Sequence, residues 1–147
     1  MPQSFVSGNI HIVFSTRDRQ PTIPQEVRNE LHAYLGGAAN KIGCNPILVG
    51  GTEDHVHMLV RQSRTVTIAD LVRGVKANSS AWMKQHVPHF AWQEGYGAFA
   101  FTEKDLPRLL KYVQNQEEHH RKASFQDELR AILSEEGLEW DERYVWQ

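Results

Sequence analysis

The alternation of apolar and polar positions divides the first half of the chain into strands and a helix. Residues 5–16, FVSGNIHIVFST, are rich in β-branched and aromatic side chains, which is typical of a strand. Residues 24–42 carry apolar side chains at helical spacing, and Pro24 suits a first helical turn. Residues 45–50 and 55–62 have the composition of two strands joined by a Gly-Thr-Glu-Asp turn, which predicts a hairpin.

The second half continues the alternation of helix and strand. Thr67 is placed to cap a helix that runs to about Val87, with Asp70 at the capping-box position. The segment WQEGYGAFAFT predicts a glycine-bearing turn that leads into a last strand. A long helix is predicted to begin near Thr102, and a further helical segment at residues 125–133 leads into an acidic tail.

The element order is β-α-β-β-α-β followed by helices, which predicts a ferredoxin-like α+β fold. In this fold both crossover helices pack on one face of an antiparallel sheet. We therefore expect the other face of the sheet to be free for a ligand or a partner's helix. Two independent halves are a poorer prediction, because each half would be too small to bury much apolar surface.

Composition indicates one domain in a reducing compartment. The 147 residues are 40% apolar and 23% charged, which is ordinary for a globular protein. The N-terminus does not resemble a signal peptide, and the sequence has no apolar run of membrane length. The single cysteine, Cys44, cannot form a disulfide within the chain. These features predict a cytoplasmic protein that does not associate with a membrane.

The charges are unevenly distributed along the chain. Residues 1–123 hold 14 Lys or Arg against 11 Asp or Glu, whereas residues 124–147 hold 2 against 7, so the net charge of −2 arises from the tail. Basic clusters in the first part could contact phosphates, and each one alone could equally be ordinary surface charge. The candidates for contacts to a DNA backbone are Arg17, Arg19, Arg73 and Lys76.

The segment EDHVHMLV, residues 53–60, places two histidines on one face of a predicted strand. Successive side chains of a strand point to opposite faces, so His55 and His57 lie side by side. Imidazole is among the commonest metal ligands, and two neighbouring imidazoles could hold one ion. The alternative is a pair of polar residues on a solvated sheet face.

The last long helix carries a tyrosine and an amide on one side. Tyr112 and Gln116 are four residues apart in KYVQNQEEHH, next to the apolar stripe of the helix. Tyr112 could instead be a half-buried boundary residue. His119 and His120 follow one turn later and could assist phosphate or proton transfer, or could be surface histidines at a helix end.

Together these residues resemble the single-tyrosine transposases of small insertion sequences that move as single-stranded DNA, which are members of the HUH nuclease superfamily. The resemblance extends to about Phe125, so a transposase domain at residues 1–125 and an acidic helix and tail at residues 126–147 of the same domain are expected. It rests on HIVFSTRDRQP, EDHVHMLV, VKANSS, WQEGYGAF and KYVQNQEEHH, in that order.

The resemblance implies specific roles. His55, His57 and Gln116 would hold one divalent ion, Mg²⁺ or Mn²⁺, and Tyr112 would be the nucleophile that forms a 5′-phosphotyrosine. A phenol with a pKa near about 10 is a weak nucleophile at neutral pH, so the ion would polarise the scissile phosphate. The expected reaction is metal-dependent cleavage and rejoining of single strands at the ends of an insertion sequence.

The resemblance also implies partners. Members of the family bind single-stranded DNA with hairpin ends and act as homodimers, in which the tyrosine helix of one subunit can complete the histidine pair of the other. Two rival hypotheses stay open. One is a domesticated nuclease that processes chromosomal repeats, and the other is a non-catalytic nucleic-acid-binding module on the same fold.

Overall fold

The computed structural model describes residues 2–147. No helix in this part of the chain has the length and apolar character of a membrane span. The strands are β1 Asn9–Ser15, β2 Asn45–Gly51, β3 His55–Arg61 and β4 Gly97–Phe101. The α-helices are α1 Gln25–Ile42, α2 Ile68–Met83, α3 Leu106–Gln114, α4 Gln116–His120 and α5 Phe125–Glu135.

The strands form one antiparallel sheet in the order β2-β3-β1-β4. Strands β1 and β3 are the central pair, and their register places Val13 opposite His57 and Ser15 opposite His55. Helices α1 and α2 are the crossover connections, so the predicted ferredoxin-like fold is confirmed. The histidine strand is therefore central rather than an edge, which places its side chains in the middle of the sheet.

The main core lies between the sheet and helices α1 and α2. Alternate residues of β1 and β3 point into it, and each of them is less than a tenth exposed: Ile10, Ile12, Phe14, Val56, Met58 and Val60. Burying one such side chain contributes about 1.5–3 kcal/mol. The alternation that predicted these strands thus places their even-numbered side chains in the core. The odd-numbered side chains lie on the other face of the sheet.

The second face of the sheet is not free, contrary to the expectation from the sequence. Helix α3 packs on it through Leu109 and Val113, which contact Leu59. Helix α5 packs beside α3 through Phe125 and Leu129, in a cluster that also contains Val13 and Phe99 of the sheet. The physical reason is that both helices are amphipathic, and this face offers apolar positions beside the histidines.

The largest differences from the predicted element boundaries are at the first strand, the second helix and the long helix. Strand β1 begins at Asn9 rather than at residue 5, and α2 ends at Met83 rather than near residue 87. The predicted long helix is interrupted at Asn115, whose backbone (φ −98°, ψ 24°) departs from helical geometry and separates α3 from α4. Tyr112 and Gln116 therefore lie on consecutive helices instead of on one.

Candidate active site

Strand β3 presents His55 and His57 to the face covered by α3 and α5. Both side chains are completely buried, which excludes the alternative of polar residues on a solvated face. Their ring centroids are 5.2 Å apart. A buried imidazole requires polar partners for its ring nitrogens, so the surroundings of the pair define what it can do.

His55 is oriented by the turn that precedes β3. Its Nδ1 lies 2.7 Å from Oδ1 of Asp54, and Thr52 donates its hydroxyl hydrogen to the same oxygen over 3.1 Å. A carboxylate only accepts, so Nδ1 of His55 carries the proton and Nε2 faces the site. Burial lowers the pKa of His55, but the hydrogen bond to Asp54, the charges of Glu128 and Asp54 and the hydrogen bond to Gln116 together outweigh burial, so the net shift is upward.

His57 is oriented by a neighbouring strand. Its Nδ1 lies 2.8 Å from Nε2 of His11 on β1. Burial, and then the proximity of His57, lower the pKa of His11 to about 3, so that ring is neutral and its Nε2 can accept a hydrogen bond from Nδ1–H of His57. Burial also lowers the pKa of His57. The arrangement therefore allows Nε2 of His57 to act as an unprotonated ligand.

Tyr112 and Gln116 reach the histidine pair from α3 and α4 of the same chain. Oε1 of Gln116 lies 2.9 Å from Nε2 of His55. The amide Nε2 of Gln116 donates a hydrogen bond to the carbonyl oxygen of Tyr112 over 3.1 Å. The Tyr112 ring stands edge-on to His57, with centroids 5.3 Å apart. The break at Asn115 thus leaves both predicted residues at the site, and Gln116 itself is buried.

A fifth residue at the site was not predicted from the sequence. Glu128 on α5 is buried, with Oε1 3.0 Å from Nε2 of His57 and Oε2 3.6 Å from Nε2 of His55. Tyr112 donates its hydroxyl hydrogen to Oε1 of Glu128. The available signal is that Glu128 stands three residues after Phe125 and one before Leu129, on the apolar side of α5 rather than on its solvated side.

The electrostatics of the site keep the phenol neutral and the carboxylate charged. Burial, and then the charge of Glu128, raise the pKa of Tyr112 well above its usual range. Burial raises the pKa of Glu128, but the contact with His57, the nearby imidazoles and the hydrogen bond from Tyr112 together outweigh burial and lower this pKa to about 2. A neutral phenol is a poor nucleophile, so Tyr112 could attack a substrate only with help to remove its proton.

The donor atoms fit a divalent ion. His55, His57 and Glu128 offer ligand atoms within 4.8 Å of one another, and the amide oxygen of Gln116 adjoins them. Among the described residues, Nε2 of His57 and Oε2 of Glu128 are buried without a hydrogen-bond partner. Such unpaired buried atoms are costly, and a cation would satisfy both. Nitrogen and oxygen donors together suit Mn²⁺, and the oxygens suit Mg²⁺.

His119 and His120 lie at the edge of the site. The His119 ring is 5.2 Å from the Tyr112 ring, and both histidines are partly exposed. Nε2 of His120 lies 3.1 Å from a carboxylate oxygen of Glu53. Auxiliary roles for His119 and His120 in phosphate or proton transfer stay predictions, and His120 contacts the turn that precedes β3.

The four predicted DNA contacts have different surroundings. Arg17 is exposed and Arg19 is partly exposed, both in a short 3-10 turn after β1, while Arg73 is exposed on α2 and pairs with Asp70. Lys76 instead donates to the carbonyl oxygens of residues 93, 94 and 95 at 2.7–3.1 Å. Burial lowers the pKa of Lys76 to about 8. Its ammonium stabilises a loop, and none of the four lines the cluster around Tyr112.

A cleft of about 250 Å³ leads from solvent to Tyr112. It runs between β4, α3 and α5, and its polar lining includes Arg108, His119 and Glu128. Tyr112 is only partly buried because its ring faces this opening. The site is thus closed around the histidines and accessible at the tyrosine, as a nucleophile for an external substrate requires.

Comparison with known proteins agrees with this geometry. Residues 4–116 match the family model described as "Transposase IS200 like". A protein of Deinococcus radiodurans R1 described as a transposase superposes with a TM-score of 0.63 at 22% identity, covering 79% of this chain and 96% of its own. The REP-associated tyrosine transposase bound to a REP hairpin gives a TM-score of 0.56 at 14% identity, covering 82% and 73%.

Among curated protein sequences, none shows significant similarity to the chain. The two similar structures support the fold alone. Sequence identity of 22% and 14% is too low to transfer the role of any single residue. The family match extends over all four strands and reaches Gln116, the last of the predicted ligands. The chain therefore belongs to the family of IS200-like transposases.

Proposed function

We propose that the chain is a metal-dependent transposase that cleaves and rejoins single-stranded DNA through a 5′-phosphotyrosine on Tyr112. One observation carries the proposal. The Tyr112 side chain, the imidazoles of His55 and His57 and the amide of Gln116 converge in one chain, and Tyr112 lines a cleft open to solvent. This is the set that a tyrosine nuclease of the family needs.

His55, His57 and Gln116 are the proposed ligands of the ion. Both imidazoles have their Nδ1 atoms held by neighbours, which leaves the Nε2 atoms for coordination. When bound, Mg²⁺ or Mn²⁺ would polarise the scissile phosphate and offset the charge that builds up on its oxygens. The completely buried histidines exclude water from their side of the site.

Tyr112 would carry out the covalent step. Its phenolic oxygen bonds to phosphorus, the bond between phosphorus and the 3′ oxygen breaks, and the 3′ oxygen leaves with a proton from water. The phenol proton is released to solvent through the cleft, and Oε1 of Glu128, which accepts the hydrogen bond of the hydroxyl, positions it for attack. The product is a 5′-phosphotyrosine with a free 3′-hydroxyl, and a second 3′-hydroxyl can reverse the step on another strand.

The proposed partner is single-stranded DNA with a hairpin. Support comes from the structural neighbour that is described as bound to a REP hairpin. The arginines at positions 17, 19 and 73 stay candidates for backbone contacts, whereas the ammonium of Lys76 is engaged within the protein. A homodimer, in which a partner's tyrosine helix can complete the site, also stays a proposal, and in the described chain Tyr112 lies beside the histidines of its own chain.

Processing of chromosomal repeats by a domesticated enzyme is the second candidate function. It is favoured by the same neighbour, whose description names a REP hairpin rather than an insertion-sequence end. The two candidates share the chemistry and differ in the DNA. Oligonucleotides from the ends of a surrounding mobile element and from dispersed repeats therefore distinguish them, since the preferred hairpin identifies the substrate.

The test is formation of a covalent adduct. The purified chain is incubated with Mg²⁺ or Mn²⁺ and labelled single strands from its flanking DNA, and the products are separated on a denaturing gel. We expect an adduct that needs metal, is lost in Tyr112→Phe and persists in Tyr144→Phe, which changes an exposed tyrosine. Hairpin binding without an adduct in any of these reactions would instead support the non-catalytic module.

A further inference from the structure

Helix α5 brings one carboxylate into the predicted metal site. Glu128 belongs to the acidic C-terminal segment, residues 124–147, which lies outside the family match at residues 4–116. We infer that Glu128 is a fourth protein ligand of the divalent ion, so that the segment is part of the active site. The inference rests on the proposed function, which assigns the ion to His55, His57 and Gln116 alone.

The separations between donor atoms support coordination. Ligands at about 2.1 Å in adjacent octahedral positions are about 3 Å apart. Oε1 of Glu128 is 3.0 Å from Nε2 of His57, and Oε2 is 3.6 Å from Nε2 of His55. The Gln116 oxygen is 2.9 Å from Nε2 of His55. The four side chains are thus spaced as neighbouring ligands of one ion, and small adjustments complete the set.

Two atoms of the cluster lack the partners that burial demands. Oε2 of Glu128 and Nε2 of His57 have no hydrogen-bond partner among the described residues, although both are buried. An ionised carboxylate taken out of water is stable only when it is paired, hydrogen-bonded or bound to a metal. A divalent ion between Oε2 of Glu128 and Nε2 of His57 would give both atoms a partner. The neutral amide of Gln116 cannot balance the charge of the carboxylate.

The chemistry of the ion provides a second argument. Mg²⁺ is usually held through carboxylates, and Mn²⁺ accepts both carboxylate and imidazole. Two imidazoles and an amide contribute no negative charge to the ion. Among the described residues, Glu128 is the only carboxylate close to the Nε2 atoms of both histidines. Asp54 lies behind His55 and contacts Nδ1 instead.

The segment holds Glu128 firmly in this position. Ser124 caps α5 by accepting a hydrogen bond from the backbone N–H of Asp127 over 3.1 Å. Phe125 and Leu129 flank Glu128 and anchor the helix in the cluster with Val13 and Phe99. Glu128 also accepts the Tyr112 hydroxyl hydrogen, so one side chain would link the nucleophile to the ion. Such rigid placement is what a metal ligand requires.

The experiment measures Mn²⁺ binding by the full chain without DNA, using the electron paramagnetic resonance signal of free Mn²⁺. We expect one tight site in the native chain and at least tenfold weaker binding in Glu128→Gln, with partial recovery in Glu128→Asp. Glu135→Gln is the matched control, because it removes one negative charge from the exposed side of the same helix. Its affinity should stay within twofold of the native value.

Further measurements separate this inference from the proposed function. Circular dichroism and thermal unfolding verify that Glu128→Gln is folded, and His57→Ala should abolish Mn²⁺ binding. Unchanged or tighter binding in Glu128→Gln would overturn the inference, as would absence of a site in the native chain. If the binding results are as expected but no native adduct forms on DNA, the proposed function fails and the ligand assignment stands.

Discussion

At the scale of single residues, similar side chains have different roles because their surroundings differ. Sequence alone places Arg73 and Lys76 together as DNA contacts. In the folded chain Arg73 is exposed and paired with Asp70, while Lys76 reaches three backbone carbonyls and lies 5.1 Å from the centre of the Phe14 ring. Position in the sequence identified the basic residues, and only the tertiary structure distinguishes a surface charge from a structural one.

Lys76→Met should therefore destabilise the protein more than Arg73→Met. The first change removes a charged donor from three carbonyls, and we expect a loss of about 1–3 kcal/mol in the free energy of unfolding. The second removes an exposed ion pair and should change it by less than about 0.5 kcal/mol. Urea unfolding of both variants measures the difference, and equal stabilities would contradict the structural role of Lys76.

We expect His32 to make the protein less stable in acid. It lies on α1, where burial and then the charge of Arg28 lower its pKa from 6.5 to about 4. Between these values the unfolded chain binds the proton and the folded chain does not, so stability falls as the pH falls from 6.5 towards 4. The maximum contribution is about 3 kcal/mol.

Replacing this histidine should flatten the profile. His32→Gln cannot take up the proton, so its free energy of unfolding should depend less on pH between 6.5 and 4 than that of the native chain. His89→Gln, at an exposed position, is the control. A native-like acid slope in His32→Gln, measured by urea unfolding at each pH, would mean that other groups cause the loss.

At the scale of elements, the order and type of strands and helices were predictable from periodicity. The hairpin of β2 and β3 and the crossover helices follow from local patterns that the tertiary structure does not override. The packing of α3 and α5 was not predictable in the same way. The apolar stripes of α3 and α5 indicated that each helix packs against another surface. The sheet face that provides this surface is polar in the sequence pattern, because it carries His55 and His57.

Gly50 shows how closely these elements approach. A Cβ on Gly50 of β2 would lie 2.5 Å from the carbonyl oxygen of Val113, the residue after Tyr112. Gly50→Ala should push α3 away from the sheet, cost about 1–3 kcal/mol of stability and slow formation of the tyrosine adduct. Urea unfolding and adduct yield over time measure the two effects.

Gly37→Ala is the matched control for that change. Gly37 is exposed on α1 and has open space around the position of a Cβ. Alanine has the higher helix propensity, so this variant should be stabilised by up to about 1 kcal/mol with normal adduct formation. Similar behaviour of the two variants would show that the close approach at Gly50 does not position α3.

At the scale of the whole molecule, the site can be assembled in two ways. The family resemblance implied that a partner's tyrosine helix can complete the histidine pair, and no observation tests that arrangement. Within the described chain, α3, α4 and α5 cover the histidine face of the sheet and bring Tyr112, Gln116 and Glu128 to it. Glu128 escaped sequence analysis because its segment is rich in acidic residues, which resembles a solvated tail until the neighbouring Phe125 and Leu129 are considered.

Mixing two inactive variants tests assembly within one chain. Tyr112→Phe and His57→Ala are co-expressed with different tags and purified together, so that any dimer contains both. We expect no adduct, because each chain would combine its own tyrosine with its own histidines. Recovery of a substantial fraction of native adduct would contradict this, since it requires the intact tyrosine of one subunit to meet the intact histidines of the other.

We propose that Tyr112 attacks the DNA strand, and mass spectrometry of the trapped adduct identifies the residue that carries the DNA. After reaction with single-stranded DNA and Mn²⁺, trypsin should release the peptide from residue 112 to residue 121, in which Tyr112 is the only tyrosine. We expect a nucleotide joined through its 5′ phosphate to Tyr112, and a free 3′-hydroxyl on the DNA fragment that is released. Cleavage without any protein-linked nucleotide, or linkage to a different residue, would contradict it.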